Sequence, residues 1–168
     1  MPNDSVQIEK VSLRQASGDD WAVLYDLSAQ MGAEKVVGYF EKTLEYQEAG
    51  QRQVFIASYE AQDVGFCMMA WNPKYAYFRH LEIGEIQDLN VVPKFRRRGV
   101  ARAMITHCEG LARDKGHAQV GIGVGMDASY GAAQRLYVGL GYVPDGYGLT
   151  HDRKVIAKGA FYPVDDDM

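Results

Sequence analysis

The sequence predicts a single mixed α/β domain, and three observations carry the prediction. Strand-like and helix-like segments follow one another as β, α, α, β, β, β, α, β, α, β, with perhaps one more strand, and neither a repeat nor a linker interrupts them. A helical stretch joins the strands expected at 85–92 and 118–124, so those two run parallel through a crossover while the other strands pair mostly antiparallel. The chain has 168 residues, a length that one hydrophobic core serves.

Each element has its own signal. In "IEKVSLRQA", Val11 and Leu13 alternate with polar neighbours as in a strand, and Ser17-Gly18-Asp19-Asp20 supplies a turn and a helix start. Trp21, Leu24, Tyr25, Leu27 and Ser28 recur at helical spacing. A second helix is expected over Glu34 to Gln47, with Val36, Val37, Phe40 and Leu44 on one face, Tyr39 at its margin and Gly50 as its stop.

"RQVFIASY" and "DVGFCMMAW" read as an antiparallel hairpin around a Glu60-Ala61-Gln62-Asp63 loop. The aromatic-rich stretch 72–83, "NPKYAYFRHLEI", is a long connection of the sort that often forms a binding element. "EIQDLNVV" is the next strand, stopped by Pro93; simple alternation puts Glu85, Gln87 and Leu89 on one face, with Ile86, Asp88 and Asn90 on the other. Val100, Ala101, Met104, Ile105, Cys108, Leu111 and Ala112 form the apolar stripe of a helix from Arg98 to Lys115, ended by Gly116. "AQVGIGV" is a strand, Tyr130 to Leu140 a helix ended by Gly141, and "YVPDG" with "KVIAKGAFY" the closing strands. About four helices therefore flank the sheet. Residues 1–7 and 164–168 are expected to be flexible.

Composition narrows the function classes. No apolar run reaches the roughly 20 residues of a membrane span, and "MPNDSVQ" has neither a basic nor an apolar leader region, so a cytoplasmic protein without membrane attachment is expected. Cys67 and Cys108 lie in apolar segments and read as small buried side chains. The four histidines lack metal-ligand spacing, and no metal is expected. A net charge of -4 argues against nucleic acid as a partner, yet Lys94, Arg96, Arg97, Arg98 and Arg102 cluster. An acidic chain with one basic corner suggests a small anionic ligand there.

That corner is a strand-to-helix turn. The first turn of a helix has unpaired N–H groups and the positive end of the helix dipole, Gly99 permits close backbone approach, and the arginines add charge-assisted bonds, which together suit a pyrophosphate. It is neither a Walker A loop nor G-x-G-x-x-G, and a solvated basic turn is the alternative reading.

In its context, "LNVVPKFRRRGVARAM" resembles motif A of the GNAT superfamily of N-acetyltransferases. Arg96, Gly99 and Ala101 stand at the [QR]-x-x-G-x-[GA] signature, and Leu89, Val91 and Pro93 match the strand end before it. Downstream, "AAQRLYVGLGY" resembles the superfamily's A-x-x-L-Y-x-x-x-G-[FY] segment through Ala133, Leu136, Tyr137, Gly141 and Tyr142. The resemblance spans about 52–144. Many members carry Asn where this chain has Tyr130, which touches side-chain contacts to the pantetheine arm and leaves the cofactor class as it is.

The resemblance implies a GNAT-like fold whose central parallel pair splays to admit acyl-CoA, with acetyl-CoA or another acyl-CoA as donor. The pyrophosphate would rest on backbone N–H groups of Arg97, Arg98, Gly99, Val100, Ala101 and Arg102, beside the signature residue Arg96. The pantetheine arm would pair with Leu89, Asn90 and Val91 and pass near Tyr130 and Ala133. Tyr137 matches the tyrosine that often protonates the leaving sulfur; its alternative is a core aromatic. Glu85 stands where some members place the general base, with Asp88 as the competing carboxylate and a solvated strand-start charge as the plain alternative.

Trp71, Tyr75, Tyr77 and Phe78 either line an acceptor pocket or seal the core. Glu82, Glu85 and Asp88 together would draw a cationic amine. The resemblance leaves both a homodimer and a monomer open, since dimers are common but not universal in the superfamily. The implied activity is acetyl transfer to a primary amine of a small molecule or protein by direct attack in a ternary complex; a domain that binds acyl-CoA without turnover is the rival.

Overall fold

The computed structural model describes residues 10–165 and 168; the expected flexibility of 1–7, and of 166 and 167 within the tail, lies outside the described residues. Five strands form one sheet in the order β1 (Val11–Gln15), β2 (Arg52–Tyr59), β3 (Gln62–Ala70), β4 (Gly84–Val91) and β5 (Val120–Ile122). The first three junctions are antiparallel, and β4 runs parallel to β5. The helices are α1 (Trp21–Gln30), α2 (Tyr39–Glu48), α3 (Ala76–His80), α4 (Val100–Asp114) and α5 (Gly131–Gly139), so the short α3 adds one to the four expected. Among the described residues no helix is long and apolar enough to cross a membrane.

The alternation along β2 and β3 divides the core between the two faces of the sheet. Val54, Ile56, Phe66 and Met68 pack with Leu24 and Leu27 of α1 and with Phe40 and Leu44 of α2. Phe55, Cys67, Met69 and Ile86 pack with Met104, Ile105 and Cys108 of α4. Full burial of each large apolar side chain contributes about 1.5–3 kcal/mol, and this two-sided packing holds the sheet rigid between its helical layers. Cys67 and Cys108 are free, buried thiols within the α4 face, their sulfurs 3.9 Å apart.

Several boundaries differ from the sequence reading. Gly38, at φ 86°, cuts the expected second helix, so α2 starts at Tyr39 and Val37 is 97% exposed instead of joining the apolar face. The β2–β3 loop is tighter than expected: Glu60 and Ala61 alone turn the chain, both at positive φ, and pairing resumes at Gln62. The stretch 72–83 is not wholly irregular, since it contains α3.

"YVPDG" forms no strand, and "KVIAKGAFY" contributes only β7 (Lys154–Val155), which pairs with β6 (Thr150–His151) apart from the main sheet. Left-handed backbone at Gly146, Gly148 and Gly159 interrupts extended structure throughout this region.

The most consequential departure lies in β4. Phe66 opposes Asn90 and Met68 opposes Gln87, so two steps of β3 span three of β4, and the extra residue is taken up at Asp88, whose φ is 46°. This β-bulge breaks the alternation. Glu85, Gln87 and Asn90 share the face of Met68 and Phe66, towards α1 and α2, whereas Leu89 turns into the α4 core with Ile86 and Val91. Leu89 and Asn90 thus exchange the faces that strict alternation assigns them.

Candidate active site

β5 pairs with β4 only from Gly84 to Ile86. From Gln87 to Val91, β4 is bonded to β3 on one side and, among the described residues, meets no strand on the other. This open edge includes Leu89, Asn90 and Val91 and leads into the turn before α4. An extended chain bearing amide groups can pair there as an added strand.

At the turn, Arg97 and Gly99 adopt left-handed conformations at φ 64° and 83°. The first helical bond is donated by Ala103 N to Gly99 O at 2.9 Å, and no described residue accepts from the N–H groups of Arg97, Arg98, Gly99, Val100, Ala101 or Arg102. A row of unpaired N–H groups at the positive end of a 15-residue helix forms an anion cradle. The arginine side chains divide their work. Arg96 Nε donates to Val91 O at 3.1 Å and ties the turn to the end of β4, while Arg98 lies over the rings of Tyr59 and Phe95. Arg97 and Arg102 are exposed.

α5 approaches the same gap from the α4 face. Tyr130 precedes it, with its ring against Gly125 so closely that a Cβ there would stand 2.3 Å from the ring. Gln134 Nε2 donates to Gly125 O at 2.9 Å and fixes the loop against the helix that carries Ala133. One turn on, Tyr137 is 8% exposed in the α4 core, and burial pushes its hydroxyl pKa up to about 12. It is therefore a protonated donor at neutral pH.

The carboxylates lie on the opposite face of the sheet. Glu85 has 0% exposure; Gln87 Nε2 donates to Oε2 at 2.8 Å and Arg153 Nη1 to Oε1 at 2.5 Å. Asp88 has a 23% exposed side chain, accepts from the Tyr39 hydroxyl at 2.6 Å and has Lys35 Nζ at 3.4 Å. Desolvation, then the negative charge of Asp88, pushes the Tyr39 hydroxyl well above its ordinary pKa, so it stays a donor. Glu82, on a turn at φ 54°, is exposed.

Of the aromatics singled out in the sequence, Tyr75 is buried and its hydroxyl donates to Asp145 Oδ2 at 2.6 Å, while Tyr77 meets the ring of Tyr147 at 4.4 Å between centroids. Trp71 packs instead against His117, away from this group. The residues that sequence reasoning missed here are Arg153, Tyr39, Lys35 and Tyr147. Tyr39 was visible only as a helix-margin aromatic, and nothing in "HDRK" marks Arg153. A larger hollow, about 710 Å³, lies beyond β5 among residues such as Val120, Tyr142 and Pro144 and includes neither the open edge nor the cradle.

A family model described as "Acetyltransferase (GNAT) domain" matches residues 50–144, more than half of the chain. Among solved structures, AAC(6')-Iy in complex with a bisubstrate analog, CoA-S-monomethyl-acetylneamine, is 18% identical with a TM-score of 0.70, covering 84% of this chain and 96% of its own. The aminoglycoside acetyltransferase HMB0005 from an uncultured soil metagenomic sample is 22% identical with a TM-score of 0.63, covering 80% and 93%. A predicted acetyltransferase from Clostridium acetobutylicum, solved with acetyl-CoA, is 16% identical with a TM-score of 0.62, covering 83% and 94%. No curated protein matches by sequence. At these identities the structural neighbours speak for the fold, and the family model speaks for the chain: with its mixed sheet and parallel β4–β5 pair, it belongs to the GNAT family of N-acetyltransferases.

Proposed function

We propose that the protein transfers the acetyl group of acetyl-CoA to a primary amine by direct attack within a ternary complex. The observation that carries this reading is the open edge of β4, which has a protonated tyrosine on one face of the sheet and carboxylates on the other. The unpaired N–H groups of Arg97 to Arg102 suit the pyrophosphate, and Leu89, Asn90 and Val91 suit the amides of the pantetheine arm. Arg96 supports the turn from behind, and Tyr130 and Ala133 stand at the start of α5 where they can border the arm.

The chemistry then needs no enzyme nucleophile. The neutral amine nitrogen bonds to the thioester carbon from the α1–α2 face; the C–S bond breaks, its electron pair goes to sulfur, and Tyr137 gives that sulfur a proton from the α4 face. Solvent later returns a proton to Tyr137. The proton lost by the amine passes to a carboxylate. Glu85 is the residue expected from the resemblance, but none of its surface is exposed; the oxygens of Asp88 are held as well, by Tyr39 and Lys35, yet its side chain is 23% exposed, and that access supports the competing assignment. We therefore assign the base role to Asp88, directly or through water, and a charge-paired structural role to Glu85.

Two comparisons test the assignment. Tyr137→Phe should leave CoA affinity within about twofold while turnover falls at least about tenfold, in line with loss of a general acid; a parallel loss of affinity would make Tyr137 a packing residue. Asp88→Asn should lower kcat more than Glu85→Gln does, and the reverse order would return the base role to Glu85.

A further inference from the structure

Next to the apex of the β4–β5 gap lies a hollow of about 510 Å³ walled by Tyr75, Tyr77, His80, Tyr147, Arg153 and Lys154, among others. Its two sides come from distant stretches, the α3 region and the segment from Tyr147 to β7. Asp145 joins them: it accepts from the Tyr75 hydroxyl at 2.6 Å and from the Tyr147 N–H at 2.9 Å. Tyr77 and Tyr147 then meet ring to ring. The hollow has aromatic walls whose two sides are tied together through Asp145.

Its charge is the opposite of what a polycation would seek. Among the described residues, the ionisable side chains on its walls are Arg153, Lys154 and His80 besides the tyrosines, and no carboxylate lines it. Glu85 is sealed by Arg153 and Asp88 is paired with Lys35, so of the three carboxylates expected to draw a cationic amine only Glu82 lacks an ion-pair partner among the described residues. Arg153 Nη1 bonds Glu85, while Nε and Nη2 donate to no described residue, and Lys154 has no ion pair among them.

Arg153 also reaches the reacting end of the gap. Its Nη1 would stand 3.1 Å from a Cβ built on Gly123, just beyond β5, a position it can hold because glycine has no such atom. The guanidinium thus touches the apex with one nitrogen and has its remaining donors for the hollow. A planar fork with two free donors matches a carboxylate.

We propose that this hollow seats the acceptor and that Arg153, with Lys154, holds an anionic group on it, so that the acceptor class is a primary amine that also carries a carboxylate on an aromatic or apolar body. The inference rests on the acetyl-transfer reading for its amine and on the hollow alone for its carboxylate. Lys154 adds attraction without touching Glu85, and Asp145 acts as a positioning residue that keeps the walls together.

The test has two arms, the first independent of turnover. Calorimetric titration of 3-phenylpropanoate, which lacks an amine, into the CoA-bound protein should show binding that weakens about tenfold in Arg153→Lys and severalfold in Lys154→Gln, as expected for charge-assisted bonds. In the second arm, kcat/KM for phenylalanine should exceed that for phenethylamine at least about tenfold, with spermidine poorer still, and the ratio should fall towards one in both variants. Because each ratio is taken within one variant, a general loss of activity cancels. Absent or variant-independent binding of 3-phenylpropanoate, or a preference for phenethylamine or spermidine, would overturn the proposal. Arg153-dependent binding with no amine acetylated would retract the transfer reading and support the anion site.

Discussion

Arg153 and Glu85 are 68 positions apart in the chain, yet they form an ion pair in which the carboxylate has no exposed surface and the arginine side chain is 40% exposed. The pair fastens the β6–β7 turn, which is not part of the main sheet, to β4 beside its parallel partner β5. Arg153→Met should lower unfolding stability by about 1–3 kcal/mol, because it leaves a buried carboxylate unpaired. Adding Glu85→Gln to that variant should restore much of the loss in urea denaturation. If the double variant is no more stable than Arg153→Met alone, the pair does not work as described.

Gly65 fixes the spacing at the bulge. It opposes Val91, and a Cβ built on it would stand 2.5 Å from Asn90 O, a backbone atom that cannot turn aside. Gly65→Ala should destabilise the protein by about 1–3 kcal/mol and, by displacing β4, weaken CoA binding as well. Thermal unfolding and CoA titration on the same sample check both effects.

At the turn before α4 the backbone should outweigh the side chains in holding CoA. Gly99 holds φ 83°, where a β-branched residue is strained by about 1–2 kcal/mol, whereas the exposed Arg97 side chain has no hydrogen-bond or ion-pair partner among the described residues to lose. Gly99→Val should raise the Kd for CoA at least about tenfold, and Arg97→Ala in physiological salt should change it about threefold or less. The reverse order would mean that side-chain charge, not the N–H row, holds the phosphates.

The pH dependence follows from Tyr137. Burial raises its pKa from the ordinary 10.0 to about 12, so the hydroxyl stays protonated through neutral and mildly alkaline pH. No loss of turnover from this residue is expected below about pH 11. Above pH 10 the unfolded chain ionises this tyrosine before the folded one does; its contribution to stability is present below that point and is lost as pH rises through 10 towards 12. Tyr137→Phe should therefore flatten the alkaline decline in stability measured by denaturant titration.

What the sequence made legible was whatever repeats locally. The apolar stripe of α4, the β2–β3 pair and the strand–turn–helix around Gly99 follow from short-range periodicity and turn chemistry, and so does the row of unpaired N–H groups at the helix start. The bulge at Asp88 did not, because it depends on the register between β3 and β4, which places Phe66 and Met68 against the wrong count of β4 residues for simple alternation. Val36 and Val37 misled because a glycine at positive φ, rather than the apolar pattern, decides where α2 begins. Arg153 was invisible for another reason: its partner is a buried charge far away in sequence, and only tertiary structure brings the two together.

The central claim is acetyl transfer, and product mass tests it most directly. The protein should be incubated with acetyl-CoA and a panel spanning amino acids, simple monoamines, polyamines, aminoglycosides and peptides, with free CoA and acetylated product followed together. CoA release should be matched by an N-acetyl adduct on at least one amine, with both falling in parallel in Tyr137→Phe. Saturable binding of acetyl-CoA with no acetylated product on any amine would contradict it.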